Sequence, residues 1–138
     1  DPETHLIPNV LKSAISLDSN LVVHGSDYPT PDGTCIRDYV QVMDLSRAHL
    51  LSLEYMKSNK WFSAFNLGNG NGFSVLEVIN ESIKITKKEI SYKFSERRLG
   101  DPATLVADNK LAKSELNWKP KYRDIHSIIK TAWLWHIS

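Results

Sequence analysis

An α/β class, in which short strands alternate with packed helices, is predicted by two patterns in the 138-residue chain. Short runs rich in β-branched and aromatic residues, such as Leu21–Val23 and Ile90–Phe94, have the character of strands. Between them, apolar residues recur at three- and four-residue spacing, the signature of a helix with one buried face. Turn and cap residues separate the two kinds of segment, and the sequence shows no internal repeat.

Taken in order, Leu6, Ile7 and Pro8 lead into Val10, Leu11, Ala14, Ile15 and Leu17, so a first helix is expected over 7–17 with Pro8 in its first turn. Leu21–Val23 is a strand ending at Gly25, and Ser26–Thr34, with two Pro, two Asp and Gly33, is a surface loop. Cys35–Val42 alternates in part and gives a second short strand. Asp44 is expected to cap a helix over 45–58 carried by Leu45, Ala48, Leu51 and Tyr55. Trp61–Leu67 is predicted as a strand that turns through Gly68–Gly72. Ser74 and Glu77 then stand in capping-box register ahead of Leu76, Ile79 and Ile83. After the strand at Ile90–Phe94 come a polar loop, Arg97–Pro102, and an apolar patch, Leu105–Ala107. Asp108 is expected to cap a short helix with Leu111, Ala112 and Leu116. Pro120 breaks the chain, and Asp124 starts a last helix with Ile125, Ile128, Ile129 and Ala132 on one stripe.

Composition bounds the function. With 41% apolar and 24% charged residues, 6 Gly and 6 Pro, the chain is of ordinary globular type, which excludes collagen and low-complexity disorder. At this length a chain buries roughly 70% of its unfolded surface, enough for one domain or one piece of a larger one. The longest unbroken apolar run, Ala132–Trp135, falls far short of the roughly 20 residues a membrane helix needs. The first residues lack the regions of a signal peptide and the single Cys35 cannot form an internal disulfide, so a cytoplasmic location is expected. The opening on Asp1-Pro2, without an initiator Met, suggests a fragment or a processed product. Residues 1–83 hold 5 Lys and Arg against 10 Asp and Glu, whereas residues 84–138 hold 12 against 6. The basic half suits a phosphate ligand or nucleic acid, or simply pairs with the acidic half.

Gly68, Gly70 and Gly72 resemble a dinucleotide loop, but G-x-G-x-x-G requires a glycine where Phe73 stands, and the capping box takes the donors a pyrophosphate would use. A structural turn is the better reading. The five histidines show no metal-ligand spacing, and Asp27, Asp32, Asp38 and Asp44 are too widely spaced for a calcium loop, so they are expected to form turns and caps. Cys35 and His24 would make a nucleophile and base only if packed together, and packing is the commoner role of a lone Cys. Arg37, and Arg97-Arg98 in a loop with Gly100, offer planar forks suited to phosphate oxygens, with surface ion pairing as the alternative.

Several blocks then combine. Pro2-Glu3-Thr4-His5-Leu6-Ile7-Pro8, the run from Asp27-Tyr28-Pro29 through Asp32-Gly33-Thr34 to Arg37-Asp38-Tyr39-Val40, Asn66-Leu67-Gly68, Ser74 to Val78, and Arg97-Arg98-Leu99-Gly100-Asp101-Pro102 closely resemble the C-terminal part of the UDP-glucose 4-epimerase family, extended short-chain dehydrogenase/reductases. The resemblance implies that residues 1–138 form the C-terminal UDP-sugar-binding portion, with most of the NAD-binding Rossmann core supplied by chain outside this sequence. In that family the N-terminal part carries the glycine-rich NAD loop and a Tyr-x-x-x-Lys pair. No tyrosine here is followed by Lys four residues later, so the fragment alone is expected to be inactive. The whole enzyme would interconvert UDP-glucose and UDP-galactose through a 4-keto intermediate with NAD as hydride acceptor, as a homodimer.

Carried over by position, Arg37 and Arg98 match the arginines that grip the diphosphate, and Asp101 the acid that accepts from ribose hydroxyls. Val22–His24 matches the strand whose backbone meets uracil, and Leu11 is expected near the helix start that meets the diphosphate. His24 stands where Phe is common, Val10 after Asn9 replaces a second Asn found in some members, and Gln41 replaces the usual His of R-D-Y-x-H-V. Leu105 falls where the family limits room near the hexose, which implies a preference for sugars without an N-acetyl group. Two other readings remain: a different nucleotide-sugar epimerase or dehydratase, and a basic module that holds nucleic acid with Arg97, Arg98, Lys110, Lys113, Lys121, Trp118 and Tyr122.

Overall fold

The computed structural model describes residues 4–16, 21–59 and 62–138; Pro2, Glu3, Leu17 and Trp61 of the reading above lie outside them. In chain order the elements are α1 (Leu6–Ile15), β1 (Leu21–His24), β2 (Ile36–Asp38), α2 (Val42–Ser58), β3 (Gly72–Ser74), α3 (Val75–Thr86), β4 (Tyr92–Ser95), β5 (Thr104–Leu105), α4 (Lys110–Glu115) and α5 (Ile125–His136). The strands form two small sheets. β1 and β4 pair in parallel with His24 opposite Ser95, and the second sheet has the order β3-β2-β5. Within it β2 runs antiparallel to β3 and parallel to β5, so Arg37 sits on the central strand opposite both Phe73 and Leu105.

The core follows from helical spacing. Val75, Val78, Ile79 and Ser82 lie on one face of α3 and are buried. Val78 packs with Leu11 of α1 and Ile129 of α5, all three without solvent exposure, while Ile79 joins Val10, Val23, Cys35 and Ile90 against the first sheet. Each aliphatic side chain so buried contributes about 1.5–3 kcal/mol relative to leaving it in water. A separate cluster of Ala48, Ala112, Leu116 and Trp118 joins α2 to α4. On its other side α2 exposes Val42, Met43, Leu50, Leu53 and Met56. Among the described residues no helix is long and apolar enough to cross a membrane.

Several boundaries differ from expectation for identifiable reasons. α2 starts at Val42 because Gln41, not Asp44, is its N-cap, accepting from the Met43 N–H at 2.5 Å. Asp44 instead turns inward. Its carboxylate is fully buried and accepts from the backbone N–H groups of Lys121 and Tyr122 at 2.9 Å, while the Trp118 indole N–H donates to the Asp44 carbonyl at 2.8 Å. One residue thereby latches the 118–122 segment onto α2. The strand expected over 61–67 does not form across the described residues 62–67, because no described strand lies alongside to share hydrogen bonds. Phe65 and Leu67 pack on the α2–α4 cluster instead, Phe65 edge-on to Tyr55 at 5.4 Å. Asn109 rather than Asp108 precedes α4 as its N-cap, while Asp108 accepts from the Lys110 N–H at 3.0 Å. The Ser74–Glu77 capping box and the Asp124 cap are in place.

Candidate anion-binding pocket

The start of α1, strand β1, strand β2, the first residue of α3 and the 97–101 loop surround a pocket of about 300 Å³. Six of the eight residues singled out in the sequence line it: Asn9, Val22, His24, Arg37, Arg98 and Asp101. They come from four separate stretches of chain and meet only through folding.

Arg37 is braced from below. Its Nη1 donates to the carbonyls of Ile36 at 2.8 Å and Pro102 at 2.9 Å, and Nη2 lies 3.4 Å from Asp101 Oδ1. Nη2 is buried and makes no hydrogen bond among the described residues, with Asp101 as its counter-charge, so the site holds a fixed cation. Asp101 is placed by a tight turn in which its N–H donates to the Arg98 carbonyl at 3.2 Å, with Gly100 at φ +82° supplying the left-handed step. The Arg98 guanidinium is exposed and makes no ion pair or hydrogen bond among the described residues. Two arginines and one carboxylate therefore face one cavity, and one of the arginines is uncommitted.

The neighbouring Arg97 points elsewhere. Its Nε donates to Asp27 Oδ1 at 2.6 Å, Nη2 donates to the Asp27 carbonyl, and the guanidinium lies 4.3 Å from the Tyr28 ring centroid. This cation, through its hydrogen bond first, holds the Asp27 carboxyl below its ordinary range. Gly25, at φ +84°, is required here: a Cβ would strike the Tyr28 ring and Arg97 Cγ.

At the other end of the pocket His24 Nδ1 lies 2.8 Å from Ser95 Oγ, a pairing set by strand register. Cys35 and Tyr39 line the wall, and burial pushes the thiol above its ordinary 9.0 and raises the phenol as well. A thiol that resists ionisation, with no hydrogen bond to His24, gives no support to a nucleophile–base pair. The four spaced aspartates take structural roles. Asp32 Oδ1 accepts from Thr34 N–H at 2.9 Å and Thr34 O–H at 2.7 Å, and Oδ2 accepts from Ser74 O–H, which fastens the 26–34 loop to the start of α3. Asp38 accepts from the N–H groups of Asn69 at 2.8 Å and Ala107 at 3.2 Å, crossing so close to Gly68 that no side chain fits there.

Leu11 and Leu105 are not brought to the pocket. α1 begins at Leu6, so Leu11 lies in its second turn, fully buried and with its amide inside the helix. Leu6, at the first helical position and on the pocket wall, has an amide without an intrahelical acceptor and is the residue the sequence reading missed. The apolar run that begins at Leu6 ahead of Pro8 was the available signal. Leu105 sits on β5 beside Arg37 and is 59% exposed. The nucleic-acid reading loses Trp118, which has no exposed surface, and Arg97, which is engaged by Asp27.

A family model described as GDP-mannose 4,6 dehydratase matches residues 2–131. The chain belongs to that family. The UDP-glucose 4-epimerase of Lacticaseibacillus casei is 49% identical over 135 residues, 98% of this chain and 41% of that protein. A crystal structure of a UDP-glucose 4-epimerase superposes with a TM-score of 0.93 at 48% identity, covering 99% of this chain and 41% of that one. The Stenotrophomonas maltophila UDP-glucose 4-epimerase, with bound NAD and formylated UDP-arabinopyranose, gives 0.90 at 36% identity, covering 98% and 40%. The chain thus spans about 41% of the length of the curated relatives it matches, and corresponds to their C-terminal part.

Proposed function

We propose that this chain is the UDP-anchoring part of a UDP-glucose 4-epimerase that interconverts UDP-glucose and UDP-galactose. The observation that carries the reading is the convergence of Arg37, Arg98 and Asp101 with Val22 and His24 on one cavity. A diphosphate is met by a braced cation and by a second, uncommitted one. Leu6, the first residue of α1, brings the start of that helix to the same cavity. Asp101 accepts hydrogen bonds from ribose hydroxyls, and the β1 edge at Val22–His24 offers backbone groups to the base. Energy from binding the non-reacting nucleotide then keeps the hexose from leaving while it turns over.

NAD, which accompanies the Stenotrophomonas relative, does not fit the residues present. The Gly68–Gly72 turn leads into β3, and the first amides of α3 are already taken, Val75 N–H by the Cys35 carbonyl, Leu76 N–H by Thr34 Oγ1 and Glu77 N–H by Ser74 Oγ, which leaves no donors for a pyrophosphate. The reading therefore places hydride chemistry in the remaining length of the whole protein and assigns binding and orientation to this part, in an assembly that is a homodimer. Titration calorimetry of the longer protein with UDP, alongside an NMR assay of UDP-galactose conversion, tests the reading. UDP binding that weakens in Arg37→Ala and Arg98→Ala supports it; a wild-type protein that ignores UDP refutes it.

A further inference from the structure

The loop that presents Arg98 and Asp101 has an unusual support. Every residue from Lys93 to Gly100 is exposed, Leu99 entirely so, and no apolar side chain between Ser95 and Asp101 anchors the chain. The loop also crosses from the first sheet to the second, leaving β4 at Ser95 and entering β5 at Thr104. Its far end is held by Arg37, which binds the Pro102 carbonyl and faces Asp101. Its near end is held by Arg97, whose guanidinium bonds both the side chain and the carbonyl of Asp27 and lies on the Tyr28 ring. Tyr28 itself is buried, and its backbone N–H donates to the Gly33 carbonyl within a loop that Asp32 fastens to α3. Beyond Ser95, which β1 and the Gly25 N–H hold, Arg97 thus ties the first part of the loop to a rigid one.

From this geometry we infer that Arg97 is a positioning residue: it touches no ligand, and it fixes the start of the loop so that Arg98 and Asp101 reach the pocket. The inference rests on the UDP-anchoring reading for its consequence, though the clamp itself does not. A lone exposed ion pair holds little, but three contacts on one planar group fix both its position and its orientation. Without the clamp, the ordering of Arg98 and Asp101 is deferred to the moment of binding and subtracts from affinity.

The test uses the longer protein and four variants: Arg97→Ala, Arg97→Lys, Asp27→Asn and the Arg97→Ala/Asp27→Asn double. Arg97→Ala and Asp27→Asn should each raise KM for UDP-galactose about fivefold with kcat little changed, since ordering cost falls on binding. The double variant should be no worse than Arg97→Ala alone, and Arg97→Lys should recover part of the loss. In the absence of nucleotide, amide exchange at Leu99–Asp101 should be faster in Arg97→Ala than in wild type. If Asp27→Asn lowers KM while Arg97→Ala raises it, Arg97 is a direct anion ligand and the inference is overturned. Unchanged KM and unchanged exchange in Arg97→Ala overturn it equally. A wild-type protein without UDP affinity would remove the proposed function, and the exchange comparison would still decide the clamp.

Discussion

Replacing Arg98 with Ala isolates the binding contribution of this pocket, because the side chain has no hydrogen-bond or ion-pair partner among the described residues. A charge-assisted hydrogen bond contributes about 1.5–3 kcal/mol, and each 1.36 kcal/mol is a factor of ten, so UDP affinity should fall about 10- to 150-fold. Folding stability should stay within about 0.5 kcal/mol of wild type, as for surface substitutions that break no contact. Arg37→Ala must differ. It deprives the Pro102 carbonyl of its donor and Asp101 of its cation, so both affinity and stability should drop. Calorimetric titration with UDP and urea denaturation, both on the longer protein, separate the two patterns. UDP affinity within twofold of wild type in Arg98→Ala, or an Arg98→Ala protein as destabilised as Arg37→Ala, would refute the assignment.

Other expectations follow from the same structure. Asp44→Ala removes the acceptor of the half-buried Lys121 and Tyr122 N–H groups and should cost about 2 kcal/mol in urea denaturation. Burial opposes ionisation of Asp32, but the hydrogen bonds from Ser74 and Thr34 outweigh it and hold its carboxyl below the ordinary 3.8. Its contribution to stability is therefore complete above pH 3.8 and is lost as pH falls through the lower folded value; acid titration of Asp32→Asn should show a shallower loss in that range. Cys35 should alkylate slowly at neutral pH, faster only as pH rises past 9.0, and more slowly still with UDP present. The 138-residue chain on its own should self-associate through the exposed apolar face of α2, and Leu50→Lys with Leu53→Lys should reduce the associated fraction in size-exclusion chromatography.

Where local chemistry decides an element, the sequence was enough. The Ser74–Glu77 box and the Asp124 cap mark helix starts because short side chains there reach their own backbone, and these starts are where they were expected. The start of α2 was not legible, because Gln41 is a less common cap and Asp44 looked like a better one. What claims Asp44 is a segment more than 70 residues away, and no local pattern reports that. Residues 62–67 misled for a similar reason, since a strand needs a partner as well as a propensity. In the pocket, Arg37, Arg98 and Asp101 were legible from their motifs, but the opposite fates of Arg97 and Arg98 were not. Adjacent arginines look alike until the fold supplies Asp27 and Tyr28 to one of them. Leu11 was misplaced by one and a half helical turns, because the helix begins as soon as the apolar run does.

The carboxylate of Asp101 beside Arg37 gives that cation a resident counter-charge. An arriving anion must displace or outbid it, which screens ligands by charge density: chloride or a lone monoanion offers Arg37 little that Asp101 does not. On the UDP-anchoring reading a diphosphate would offer more, and a carboxylate released from the guanidinium would be free to accept hydrogen bonds from hydroxyls. On that reading, occupation of the phosphate half of the pocket would favour occupation of the ribose half.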